Sequence, residues 1–282
     1  MTGQQLQAAA VAEARLADRL TQAYARELEQ TLILLNARIR RLIRALESDG
    51  RVLVSTRANL ARALALRQGL KAAIEDAGVL DLSRAAIDAP LDQLSDLILS
   101  RVLGRAATVT PFDLDALAAF KDLRLAELLD VHQSAVATIQ RTVLDGVLGA
   151  RPIEDLIADI EDVLDATAAD ARTVYDTAVS TFSRQVDQLH TTGAPDELFV
   201  YLGPADFKTR PFCREHVGKV YQRHEIDDLD NGQLPNVLIT GGGYNCRHAW
   251  KPVSILDDEL IGLHRTGGRL AIVEDQLRKA VQ

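Results

Sequence analysis

Apolar positions along the first 48 residues recur every three or four places. Leu28, Leu32, Leu35, Ile39, Leu42 and Leu46 step by four, three, four, three and four, the spacing of a seam along one face of a helix. Such a helix is too long to bury its stripe alone, so the pattern predicts a neighbour, in a helical bundle or in another subunit. Gly50 is placed to end it. A second helix is predicted from Thr56 to Ala77, closed by Gly78, and a third from Ser83 to Leu103 with a break or restart near Pro90. Thr110-Pro111 fits an N-cap followed by a first helical position. It opens a helix patterned by Leu114, Leu117, Phe120, Leu123, Leu125, Leu128 and Leu129 that runs toward Leu144. Arg151 to Leu156 opens another, with acids in its first turn where the helix dipole favours them. Its apolar face is Ile153, Leu156, Ile157, Ile160 and Leu164, and a separate Ala- and Thr-rich helix is expected from Ala166 to Leu189.

The pattern changes at Thr191-Thr192-Gly193-Ala194-Pro195, a turn signal. Leu198 to Leu202 is predicted as a strand and Val237 to Thr240 as another, with a short helix near Glu225 to Asp230. After Gly267-Gly268, Leu270, Val273, Leu277 and Val281 return to helical spacing. The expected fold class is mainly α with a small α+β C-terminal module. Its parts are a helical arm or bundle over 1–150, long connecting helices over 151–192, a compact Cys/His module over 193–255 and a C-terminal helix over 256–282.

Composition strengthens the helical reading. Of 282 residues 47% are hydrophobic but only 4% aromatic, and the Ala and Leu that dominate lose little on entering helices. A formal net charge of −8 argues against a protein that coats nucleic acid. The charge is uneven, however. Nine basic residues fall between Arg38 and Lys71 against the acids Glu47 and Asp49, and eight acids fall between Glu154 and Asp176 against Arg172. Two solvated helix faces account for this. Alternatively the basic segment, with Arg38, Arg41, Arg44, Arg51, Arg57 and Arg62 as candidate contacts, meets an acidic partner or packaged DNA. No apolar run approaches the roughly 20 residues that span a bilayer, and the first residues lack the basic stretch of a secretory signal. Two cysteines make no disulfide framework, so synthesis in a reducing cytoplasm is expected.

Candidate chemistry is concentrated between Glu197 and Val253. Cys213 and His216 form one close pair, Cys246 and His248 another, and together they suffice for a tetrahedral zinc site. Gly241-Gly242-Gly243 would let the backbone wrap closely around such a centre. A disulfide between the two cysteines, or two buried thiols beside hydrogen-bonded histidines, fit the same residues. A thiol hydrolase built on Cys213 with His216, His224 or His248 as base, or a metal nuclease, is a further alternative. Two residues on a short hairpin form no evident cleft, and the acidic ligands of a nuclease have no recognisable spacing. The triple glycine is followed by no Lys-Ser/Thr pair and so is no phosphate loop.

Two blocks in this region resemble a known family. Asp206, Thr209-Arg210-Pro211, Cys213 and Gly218-Lys219-Val220-Tyr221 form the first, and Asn245-Cys246-Arg247-His248 with Pro252 closes the second. In this order they resemble the C-terminal module of the phage Mu F-like minor head proteins, also called the phage head morphogenesis domain. The helix with Ala169-Asp170-Ala171-Arg172-Thr173 is similar to the one that precedes that module, so the resemblance covers roughly residues 130–255. Where many members carry Pro-x-Cys-Arg-Cys, this chain has Tyr244-Asn245-Cys246-Arg247-His248. His248 in place of a cysteine keeps a metal ligand and removes a disulfide partner, which favours zinc.

The resemblance implies a non-enzymatic virion component, present in few copies at the portal vertex inside the capsid. It would assist head assembly and DNA packaging or ejection. The phage portal protein is the expected partner, with the major capsid or scaffolding protein and packaged DNA as further ones. A head–tail connector or adaptor is the alternative of the same structural kind.

Overall fold

The computed structural model describes residues 2–103, 110–189, 191, 193–254 and 257–280. Thr192 of the turn signal and Val281 of the terminal apolar pattern lie outside the described residues. Five long helices come first: α1 (Gly3–Arg44), α2 (Arg57–Asp76), α3 (Val79–Leu103), α4 (Pro111–Leu148) and α5 (Ile153–Gln188). A small hairpin, β1 (Ser48–Asp49) and β2 (Val52–Leu53), lies between α1 and α2. The C-terminal part adds β3 (Leu198–Leu202), α6 (Pro211–His216), β4 (Val220–Gln222), α7 (Arg223–Asp227), α8 (Val237–Thr240), β5 (Ala249–Pro252), α9 (Asp258–Thr266) and α10 (Ala271–Lys279). The protein is mainly helical with a small strand-containing module that carries the Cys/His group. Among the described residues no helix is long and apolar enough to cross a membrane.

Two compact units divide the chain. One comprises Met1–Leu20, Ala89–Asp122 and Asp176–Gln282; the other comprises Thr21–Asp88 and Leu123–Tyr175. In the second unit the α1 seam is buried at Leu28, Leu32, Leu35, Ile39 and Leu46, and Leu42 lies over Gly69 of α2. The helix ends at Arg44, before Gly50, which instead turns the β1–β2 hairpin with φ 65°. Asn59 fixes that hairpin to α2: its side chain accepts from Glu47 N and donates to the carbonyls of Glu47 and Val54. Thr56, expected as the start of this helix, is its cap and accepts from Asn59 N at 3.1 Å.

Helix α3 passes through Pro90 without the expected break. Proline supplies no N–H to the carbonyl four residues back, which is that of Ala86. The Tyr175 hydroxyl donates to this carbonyl at 2.9 Å, so the orphaned acceptor is satisfied within the second unit. At the start of α4, Thr110 accepts from Asp113 N while the Asp113 carboxylate accepts from Thr110 N, a reciprocal cap. Helix α5 is continuous where two helices were expected, because no glycine or proline interrupts it after Pro152.

The charged segments meet each other in the second unit. Arg40 pairs with Glu161, which also accepts from Asn36, and Arg44 lies 3.5 Å from Glu154. Arg38 pairs with Asp76 at 2.5 Å and Arg62 with Glu47 at 2.5 Å. Arg41, Arg51 and Arg57 are exposed and make no ion pair among the described residues. Part of the acidic surface that the basic stretch faces is thus its own chain.

In the first unit an antiparallel sheet has the order β4-β3-β5. Its central strand is the predicted one, with Val200 opposite Val220 on one side and Lys251 on the other. The second expected strand, Val237–Thr240, is instead a helical turn. Asn236 enters it in the left-handed conformation, and Thr240 Oγ1 folds back onto the Asn236 carbonyl at 3.0 Å. Val237 and Leu238 still reach the core, and Trp250 Nε1 donates to the Val237 carbonyl at 3.1 Å. The four apolar residues supply burial without a strand, since β5 takes the free side of β3.

Candidate metal centre

Three buried side chains of the first unit converge on one point. Pro211 starts α6 at its first position, where the missing N–H costs nothing, and the short helix carries Cys213 inward. Cys246 and His248 come from the loop that leads into β5. Cys213, Cys246 and His248 are 1%, 2% and 3% exposed. The two Sγ atoms are 3.7 Å apart, and His248 Nδ1 lies 4.0 Å from the Cys246 sulfur. All three ligand atoms lie within 4.8 Å of one another. Such a donor set can hold a metal ion. The cysteines are free thiols, not a disulfide.

Glycine is required around them. A side chain on Gly242 would put its Cβ 2.4 Å from the Cys213 sulfur, and one on Gly203 would meet His248 Cδ2 at 2.7 Å. The triple glycine therefore lets the chain close over the thiols, as its sequence suggested. Gly242 also donates its N–H to the Cys246 sulfur at 3.1 Å.

Two residues that sequence reasoning missed complete the surroundings. Tyr201, from the middle of β3, places its hydroxyl 3.5 Å from the Cys213 sulfur and 3.4 Å from that of Cys246, and its ring stacks on His248. Arg184, buried on α5, donates to the carbonyls of His248 at 2.8 Å, Cys246 at 2.5 Å and Ile239 at 3.2 Å. The signal for Arg184 was a lone cation among Phe182, Ser183 and Val186, positions otherwise suited to a core. Tyr201 had none beyond membership of an apolar strand.

The two thiols are electrostatically unlike. Burial opposes ionisation of Cys246, but the bond from Cys213, the Arg184 guanidinium and His248 together draw its pKa well below the usual thiol value. Its bond to Cys246, and then burial, push Cys213 upward. The Arg184 guanidinium and His248 thus favour negative charge on the Cys246 side of the pair. Burial first, and then the two cysteines, raise the Tyr201 phenol, so it stays a hydrogen-bond donor.

His216, expected as a fourth ligand, lies outside this group. Its Nδ1 is bonded to the Tyr221 hydroxyl at 2.7 Å, and its ring packs on Phe212. The turn of α6 brings Cys213 to the centre and hands His216 to β4. His224 is on the surface, with Nδ1 against the Pro195 carbonyl at 2.9 Å. Neither histidine is in the cluster that contains Cys213, Cys246 and His248.

The two blocks of sequence close on one another around the centre. Arg247 forks onto the Asp206 carboxylate with bonds of 2.8 and 2.6 Å. Arg210 reaches across to the Tyr244 carbonyl at 2.6 Å, and Thr209 Oγ1 accepts from Asp206 N at 3.0 Å. Comparison with family models, with curated proteins and with solved structures returns no match.

Proposed function

We propose that the chain is a structural minor head protein of a tailed phage, located at the portal vertex inside the capsid. In this reading its C-terminal module is held shut by a structural zinc ion on Cys213, Cys246 and His248. One observation carries it. Residues by which the sequence resembles Mu F-like modules also bind the two blocks together: Asp206 to Arg247, and Cys213 beside Cys246. Residues spent on mutual closure, with their sulfurs shielded from solvent, suit a scaffold.

The donors fit zinc in kind and in spacing. Two thiolates at about 2.3 Å on a tetrahedral ion stand about 3.8 Å apart, and the measured separation is 3.7 Å. Disulfide sulfurs would lie at about 2.05 Å. His248 Nδ1, 4.0 Å from the Cys246 sulfur, is the ring nitrogen that faces the thiols and would join them on the ion. Bound zinc would supply folding free energy to a small core, while Arg184 and Gly242 hold the thiolate side in place.

Arg41, Arg51 and Arg57 are the candidate arginines left for the portal or for packaged DNA, since Arg38, Arg44 and Arg62 face acids of the same chain. Quantitative mass spectrometry of purified virions and tail-less heads tests the proposal. The expected result is a low copy number relative to the major capsid protein, protected from added protease. Absence from the particles contradicts it, and an exposed, protease-sensitive position in heads indicates a connector instead.

A further inference from the structure

Lys251 of β5 is 1% exposed, and two carboxylates from two other elements converge on its amine. Asp187, near the end of α5, pairs with Nζ and is 2% exposed. Glu13, early in α1, is 6% exposed and places Oε2 2.5 Å from the same nitrogen. Ser183 Oγ lies 3.4 Å from that Glu13 oxygen. All of these residues belong to the first unit. A buried ion pair needs one acid, and even that gains little over an apolar pair. Here a second acid faces the same amine, in the position of a proton acceptor.

We propose that Lys251 and Asp187 condense to an intramolecular amide, with Glu13 carrying the protons. Glu13 takes one proton from the Lys251 ammonium and passes it to the Asp187 carboxylate. The freed nitrogen lone pair then attacks Cγ of Asp187, forming the N–C bond. Glu13 moves a second proton from that nitrogen to the hydroxyl, whose C–O bond breaks with its electron pair. One ammonium and one carboxylate become one amide and one water, Glu13 ends as it began, and nothing is oxidised or reduced.

The surroundings suit this step. Lys251 and the Asp187 carboxylate are held in contact away from bulk solvent, which removes the entropic cost of bringing them together. An open pocket lined by Glu13, Ala10, Ala14 and Ser183 gives the released water a way out on the Glu13 side. Exclusion of bulk water then protects the amide from hydrolysis. The bond would fasten β5 to the end of α5, two segments separated by 64 positions.

Intact mass of the denatured full-length protein decides the matter. The expected mass is one water, about 18 Da, below that of the sequence. A tryptic digest should contain one branched peptide joining the segments that bear Asp187 and Lys251. Assignment by fragmentation separates this from dehydration at Asp49-Gly50 or Asp145-Gly146. Glu13→Gln, checked for fold by circular dichroism, should retain the full sequence mass. Wild-type protein at full mass with separate peptides overturns the proposal, whether or not any variant folds. A Glu13→Gln protein that still loses the water overturns the role of Glu13.

Discussion

Asp206 and Arg247 meet in a bidentate ion pair although 41 positions separate them. The pair joins the loop after β3 to the loop before β5, so it closes the module beside its buried thiols. Its Asp206 carboxyl is held below the usual carboxylate range chiefly by the bond from Arg247.

Asp206→Asn should therefore destabilise the protein by about 1 kcal/mol, since charge-assisted bonds of this kind are discounted by partial exposure. A depressed folded pKa means the contribution is present above the unfolded carboxylate value near 4 and is lost as pH falls through the folded one. Urea midpoints of wild type and variant should differ at pH 7 and converge as the pH is lowered below about 4. A gap that persists unchanged in acid would assign the effect to packing.

Arg184 has a larger role, because it satisfies three backbone carbonyls from within the core. Arg184→Ala should cost about 3–5 kcal/mol, leaving buried acceptors unpaired. Arg184→Lys should recover only part of this, since an ammonium cannot fork as a guanidinium does. Urea denaturation measures both. Cys213 and Cys246 should also become faster to label with a thiol reagent in the alanine variant.

The long helices and β3 were legible in the sequence because periodicity and caps are local. Thr56, Gly78 and Thr110-Pro111 punctuate the chain where the helices start and stop. Pro90 misled because the group that satisfies the freed Ala86 carbonyl, the Tyr175 hydroxyl, lies 89 positions away. Val237–Thr240 misled because apolar content fixes burial and not backbone conformation. Cys213, Cys246 and His248 were legible as ligand types, but the choice between His216 and Tyr201 as their neighbour was not. That choice depends on the turn of α6 and on Tyr221, which takes the His216 nitrogen.

His132 gives the second unit an acid sensitivity. It is buried on α4 with Nε2 lacking a hydrogen-bond partner among the described residues, and desolvation lowers its pKa from 6.5 to about 4. Below pH 6.5 the unfolded chain takes up a proton that the folded one refuses. Stability should fall from there to about pH 4 and then level off, by about 3 kcal/mol at most. His132→Leu should remove this dependence. Urea midpoints across that range check it, and a variant with the wild-type slope would locate the sensitivity elsewhere.

The buried donor set is the most direct point of test. Metal content of full-length protein, purified without chelator, should be measured by mass spectrometry for wild type and for Cys246→Ser, His248→Ala and His216→Ala. One zinc per chain is expected in wild type and in His216→Ala, with loss in the other two. A wild-type protein that binds no zinc after incubation with the ion, or a His216→Ala variant that loses it while His248→Ala retains it, would contradict a centre built on Cys213, Cys246 and His248.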